Sequence, residues 1–287
     1  MMIPYNFLGL PAELSDYKSA KVAVLPIPYD LTLSYQSGSR LGPQAIIDAS
    51  RQVETYDDDF GLDPSSIGIA TLPELEQIAS GPENMQKAIY ETCKKILADG
   101  KYLLTLGGEH SITPAVVKAH HEKFPNLSVL QIDAHTDLRD SYQESKYSHA
   151  CAMSRVAEMV PFIGVGIRSF KGGDNEIKYR RQIIKMDEFR RDSKIYEIIL
   201  AGLSENVYIT VDLDGLDPAI MPSVGTPEPG GLSWDEMMEL IRTVSSNRKI
   251  IGADVVELSP RPGLNYADFT AAKLAYKIIA RSFFKEK

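Results

Sequence analysis

Leu127-Ser-Val-Leu-Gln-Ile-Asp-Ala-His-Thr-Asp137 is an apolar run that closes on three ligand-type side chains at alternate positions, Asp133, His135 and Asp137. In an extended chain, residues two apart point to the same face. The run therefore reads as a buried strand that delivers two carboxylates and an imidazole together at its carboxyl end. Asn206-Val-Tyr-Ile-Thr-Val-Asp-Leu-Asp-Gly-Leu-Asp-Pro218 repeats the pattern with Asp212 and Asp214. Four carboxylates gathered in one place cannot all stay ionised without cations between them. Together with a second histidine they form an oxygen-rich donor set, which suits Mn2+ better than Zn2+. There are donors enough for two ions.

Working outward, strand-like runs recur at Lys21–Pro28, Ile67–Leu72, Tyr102–Leu106, Phe162–Ile167, Gln182–Lys185, Val207–Val211 and Lys249–Val256, which with Leu127–Ile132 makes eight. Helical patterns fall between them. Pro43 starts one that runs to Ala49 or Ser50, as proline in a first turn allows. Ile89, Cys93, Ile96 and Leu97 recur at helical spacing, which makes Cys93 a core residue. Thr113 and Pro114 read as cap and first turn of a helix carrying Val116, Val117 and Ala119, with His120 and His121 at its exposed end. A short helix is expected from His149. Asp57-Asp-Asp59 reads as a solvated turn. Strands alternating with helices imply right-handed crossovers and a mainly parallel sheet covered on both faces. The expected fold is thus α/β, one domain over residues 1–287, with ligands at the carboxyl ends of the strands.

Composition narrows the partners. The 287 residues are 44% hydrophobic and 24% charged, the balance of an ordinary globular protein. A net charge of −8 and a pI near 5.3 argue against nucleic acid or an anionic membrane as main partner and leave cationic small molecules open. Only Cys93 and Cys151 are present, so no disulfide framework exists and a reducing cytoplasm fits. The amino terminus lacks signal-peptide character, and no apolar run approaches the ~20 residues that span a membrane. A cytoplasmic enzyme is expected.

Gly107-Gly-Glu-His-Ser111 adds His110, aimed back over a strand end by a tight glycine turn. Taken in order with Asp133-Ala-His-Thr-Asp137 and Asp212-Leu-Asp-Gly-Leu-Asp-Pro218, it resembles the three signatures of the ureohydrolase family, which holds arginases and agmatinases. Ile27–Asp30, Gly38–Pro43, Gly225–Gly231 and Asp254–Glu257 extend the resemblance over essentially the full chain, with agmatinases nearest. It implies a three-layer αβα sandwich around an eight-stranded parallel sheet and a centre of two Mn2+ per chain. His110, Asp133, Asp137 and Asp212 are then expected to hold one ion, and Asp133, His135, Asp212 and Asp214 the other. Asp217 is expected to be a structural hydrogen-bond acceptor.

The resemblance also implies a reaction, in which hydroxide supplied by the metal pair adds to a guanidinium carbon and the adduct collapses to urea and an amine. Asp137 is expected to guide a proton to the leaving nitrogen, Glu257 to clamp the guanidinium, and His149 to shuttle protons or line the entrance. Agmatine, giving putrescine and urea, leads as substrate. Aminopropylagmatine, which would give spermidine, a carboxylated analogue and guanidinobutyrate are the alternatives. Tyr35, Arg40, Arg139, Asp140 and Glu228 are candidates for the far end of the pocket. Acids there favour a distal ammonium, and Arg40 or Arg139 a carboxylate. Cys151 is not expected to act as a nucleophile, because metal-bound hydroxide makes a thiolate unnecessary. Two other readings are a one-zinc deacetylase of related architecture, opposed by the extra acids Asp137 and Asp214, and a non-catalytic metal-binding subunit. By resemblance the chain assembles as a homo-oligomer, a trimer or hexamer.

Overall fold

The apolar runs become eight strands in a computed structural model that describes residues 3–286. They are β1 (Val22–Ile27), β2 (Ile69–Thr71), β3 (Tyr102–Gly107), β4 (Leu127–Ile132), β5 (Phe162–Ile167), β6 (Ile183–Lys185), β7 (Asn206–Asp212) and β8 (Lys249–Val256). All neighbours pair parallel, in the order β2-β1-β3-β8-β7-β4-β5-β6. The sheet is buried on both faces, which is why its strands are continuously apolar rather than alternating.

Successive side chains divide between two cores. Val22 and Val24 enter one, and Ala23, Leu25 and Ile27 the other. The first is closed by helices that include Gly42–Ser50, Trp234–Asn247 and Asn265–Phe283, the second by Pro82–Ala98, Thr113–Lys123 and Ala152–Ala157. The expected αβα layering follows. Helix Trp234–Asn247 starts on a reciprocal cap: the Ser233 hydroxyl accepts from Glu236 N at 3.2 Å, and the Glu236 carboxylate accepts from Ser233 N at 2.8 Å.

Four local expectations are corrected. Strand β2 is shorter than Ile67–Leu72, because Ile67 belongs to a 3-10 turn and Gly68 leaves it at φ +79°. Thr113 caps nothing; it is the first residue of its helix, and its hydroxyl donates to Asp254 at 3.0 Å. Asp57 is buried, paired with Lys277 at 2.9 Å, so the Asp57–Asp59 segment is tied to the last helix rather than solvated throughout. His120 is fully buried, against Tyr208 with ring centroids 4.8 Å apart. It fits because its strand neighbour is Gly252, where a Cβ would lie 2.2 Å from His120 Nε2.

Burial holds the His120 imidazole neutral, pushed down to about 4, against a hydrogen bond to Val116 O that works the other way. In the unfolded chain it titrates near 6.5. Stability from this group is therefore fully present above pH 6.5 and is lost as pH falls towards 4, by roughly 3 kcal/mol over two pH units. His120→Gln, neutral throughout, is expected to shrink the gap between unfolding free energies at pH 7 and pH 4.5 by about that amount. An unchanged gap in denaturant titrations at the two pH values contradicts the assignment.

The register sets up the site. Strands β3, β8, β7 and β4 stand side by side at the centre of the sheet. Ile132 pairs with Val211, and Asp212 with Val256. The residues that follow or end these strands, Asp133, Asp212 and Glu257, thus emerge together at the carboxyl edge.

Candidate functional site

His110 reaches this edge because of space, not of unusual torsion. Glycine is required at position 108 since a Cβ there would stand 2.0 Å from Tyr29 O, and the backbone bonds Gly108 N to Ile27 O and Glu109 N to Tyr29 O lock the turn against β1. Two other site residues do carry strain: Asp137 has φ +48° and Glu257 has φ +69°, left-handed values that cost a non-glycine residue of order 1 kcal/mol or more. Glu257 is held there by its N–H on Gly108 O at 2.8 Å, while its Oε1 accepts from His110 N at 2.7 Å.

All six predicted ligands converge. His110 Nδ1 lies 3.2 Å from Asp133, 3.1 Å from Asp137 and 3.5 Å from Asp212. His135 Nδ1 lies 2.9 Å from Asp214 and 3.8 Å from Asp133. Two groups with metal-ligating geometry result, His110-Asp133-Asp137 and Asp133-His135-Asp214, and Asp133 belongs to both. His110 Nδ1 is buried, faces three carboxylates and yet makes no hydrogen bond to any of them. Its other nitrogen, Nε2, contacts Thr210 Oγ1 at 2.9 Å, and Thr210 in turn donates to the buried Asp254 at 2.6 Å. That relay orients Nδ1 towards the acids, an arrangement typical of a metal-binding imidazole.

The electrostatics show a cluster short of positive charge. Burial, then the charges of Asp214 and Asp137, push the Asp133 carboxyl up to about 7. Burial, then Asp214 and Asp133, hold Asp212 well above the usual carboxylate range. Burial works against a charged His135, but Asp214 outweighs it and raises the imidazole to about 11. Asp214 itself is pulled down to about 2 by His135, despite burial. Protons take the place that divalent cations would fill, so the residues present fit such ions.

Above the cluster opens a cavity of about 240 Å3 whose floor includes Asp137, Asp212, Asp214 and Glu257. His149, Tyr35 and Arg139 line it as expected. Asp140 does not; it is exposed and pairs with Arg155 at 3.0 Å. Glu228 also stays off the lining, its carboxylate 3.9 Å from His135 Nε2. Arg40 is bound to the buried Asp30.

The chain matches the profile of the Arginase family over residues 20–281. It is 41% identical to an N(1)-aminopropylagmatine ureohydrolase of Thermus thermophilus over 92% of this chain and 90% of that one. An agmatinase of Pyrococcus horikoshii is 33% identical over 98% of this chain and 99% of its own.

The chain belongs to the arginase family.

Its fold agrees: the agmatine ureohydrolase of Thermoplasma volcanium superposes with a TM-score of 0.86 at 32% identity, covering 98% of this chain and 95% of the other. Within this arginase-family site, several residues escaped the sequence reading. Thr32 Oγ1 donates to the buried Glu109 at 2.8 Å, accepts from His149 N at 3.0 Å and lies 3.3 Å from His149 Nδ1, which places the His149 ring at the cavity wall. Glu109 was visible inside the glycine signature. Arg168 was not, since an arginine after a strand carries no mark of its role. It donates to the carbonyls of Asp214 and Glu228, both at 2.6 Å, and to Gly166 O at 3.0 Å, tying the ligand loop after β7 to the 225–231 loop. Asp217 behaves as expected: it accepts from Ala219 N and Gly230 N at 2.9 Å and from Gly231 N at 3.1 Å. Burial, then the charge of Asp137, pushes the Cys151 thiol up to about 11, too high for a thiolate nucleophile at neutral pH. No described helix is long and apolar enough to cross a membrane.

Proposed function

We propose that this chain releases urea from a guanidino compound with an agmatine core, converting agmatine and water into putrescine and urea. The observation that carries the reading is Asp133, common to two metal-ligating groups, whose partners Asp137 and Asp214 lie with the buried Glu257 at the floor of a cavity. His110, Asp133, Asp137 and Asp212 would hold one divalent ion, Mn2+ by the donor chemistry, and Asp133, His135, Asp212 and Asp214 the other. When bound, such a pair supplies a hydroxide nucleophile near neutral pH.

The chain's own residues do the rest. Glu257 is buried with one oxygen engaged by His110 N and lies at the cavity floor, so a planar guanidinium provides the positive charge it lacks. Burial, then the charge of Glu109, holds the Glu257 carboxyl well above its ordinary range, and an incoming cation reverses that by favouring the carboxylate. Asp137, at the edge of the same floor, holds the proton destined for the leaving nitrogen. His149, kept neutral chiefly by burial, exchanges protons with solvent at the wall. Assembly as a homo-oligomer in the cytoplasm belongs to the same reading.

A second substrate, N1-aminopropylagmatine giving spermidine and urea, is favoured by the greater identity to the Thermus thermophilus relative. Urea release with Mn2+ supplied, assayed over agmatine, aminopropylagmatine, arginine and guanidine, is expected from the first two. No urea from any of them, or cleavage of an acetylated polyamine with one zinc per chain, overturns the proposal.

A further inference from the structure

The cavity is electrically two-ended. We infer that its outer half receives a carboxylate, so that the preferred substrate carries an acid group remote from its guanidinium; this rests on the ureohydrolase reading above. Apart from the acids of the floor, the acidic and basic side chains on the wall are Arg139, Lys171 and Glu176. Glu176 is spent. Its Oε1 accepts from Thr136 Oγ1 at 2.7 Å and Lys171 N at 3.2 Å, and its Oε2 from Gly172 N at 2.5 Å and Gly173 N at 3.2 Å. Four donors, three of them the backbone N–H groups of the 171–173 turn, leave it no free lone pair aimed at a ligand's ammonium.

The two cations are free. The Arg139 guanidinium lies 4.8 Å from the Tyr142 ring centroid, and the adjacent acid, Asp140, is taken by Arg155. Neither Arg139 nor Lys171 makes an ion pair among the described residues, and both stand on the cavity wall. Glu228 stands off the lining against His135 at 3.9 Å, so a terminal ammonium on the wall would meet two like charges and one acid whose oxygens are already hydrogen-bonded. A carboxylate would meet a guanidinium whose fork fits it and an ammonium on the same cavity wall. With acids at the floor and cations at the rim, the cavity selects a molecule positive at one end and negative at the other.

Two matched pairs test this: agmatine against 4-guanidinobutyrate, and N1-aminopropylagmatine against the same molecule bearing a carboxylate on its terminal aminopropyl carbon. In at least one pair the carboxylate-bearing member is expected to show a kcat/KM at least tenfold higher, mainly through KM. Lys171→Glu combined with Arg139→Gln, with folding and metal content checked, is expected to reduce that preference at least tenfold. If the carboxylate-bearing member is preferred in neither pair, or the double variant moves the preference less than twofold, the inference fails while the ureohydrolase reading stands. No urea from any of the four overturns both.

Discussion

Asp133→Asn is expected to reduce urea release by roughly 10^3-fold or more, a loss of about 4 kcal/mol of transition-state stabilisation, and to lower the metal content from two ions per chain to one or fewer. Asp133 is the one residue common to both ligand groups, fully buried and 3.2 Å from His110 Nδ1. Removing its charge weakens both ions at once. The fold has no such dependence. Asparagine keeps an oxygen for His135 N, which now donates to Asp133 at 2.6 Å, and the bond it loses from Gln131 Nε2, now 2.8 Å, is offset by relief of a buried repulsion with Asp214 and Asp137. Circular dichroism and unfolding of the metal-free variant should therefore match the parent. Two ions per chain together with parental activity would show that Asp133 bridges nothing.

Glu257→Gln separates substrate binding from metal binding. Glutamine retains an oxygen to accept from His110 N, so the backbone at φ +69° and the two ligand groups stay in place. What disappears is the charge that faces a guanidinium. A charged hydrogen bond of this kind contributes about 3 kcal/mol, which sets an expected fall in kcat/KM on the order of 10^2. Because the guanidinium is cationic before it reacts, much of the loss should lie in KM. Metal content, measured by elemental analysis, should not change. A variant that loses its metal as well would make Glu257 a support for His110 rather than a contact for substrate.

Much of this site was legible because its ligands are local in sequence. Alternation at Asp133-Ala-His-Thr-Asp137 marks three donors just past the end of β4, although the chain has left the strand there and Asp137 stands at φ +48°, and Asp212-Leu-Asp214 marks two more where β7 passes into a 3-10 turn. Continuous apolar runs between helical patterns likewise announce a buried parallel sheet. His120 shows where such reading stops. On a helix it sat near polar neighbours, and only the glycine of a strand more than a hundred residues on, Gly252, made room for it inside.

From its residues alone, the chain determined the sheet, its helical cover and, with the ureohydrolase resemblance, which six acid and imidazole side chains gather at the sheet's edge, since these depend on short-range periodicity and local motifs. Tertiary structure alone decided which charges meet the far end of a substrate. Asp140 and Glu228 look as available in sequence as Lys171 and Glu176, yet Arg155 draws Asp140 outward and the 171–173 turn consumes Glu176. Side-chain direction at a loop is set by partners distant in the chain, and no local pattern encodes them.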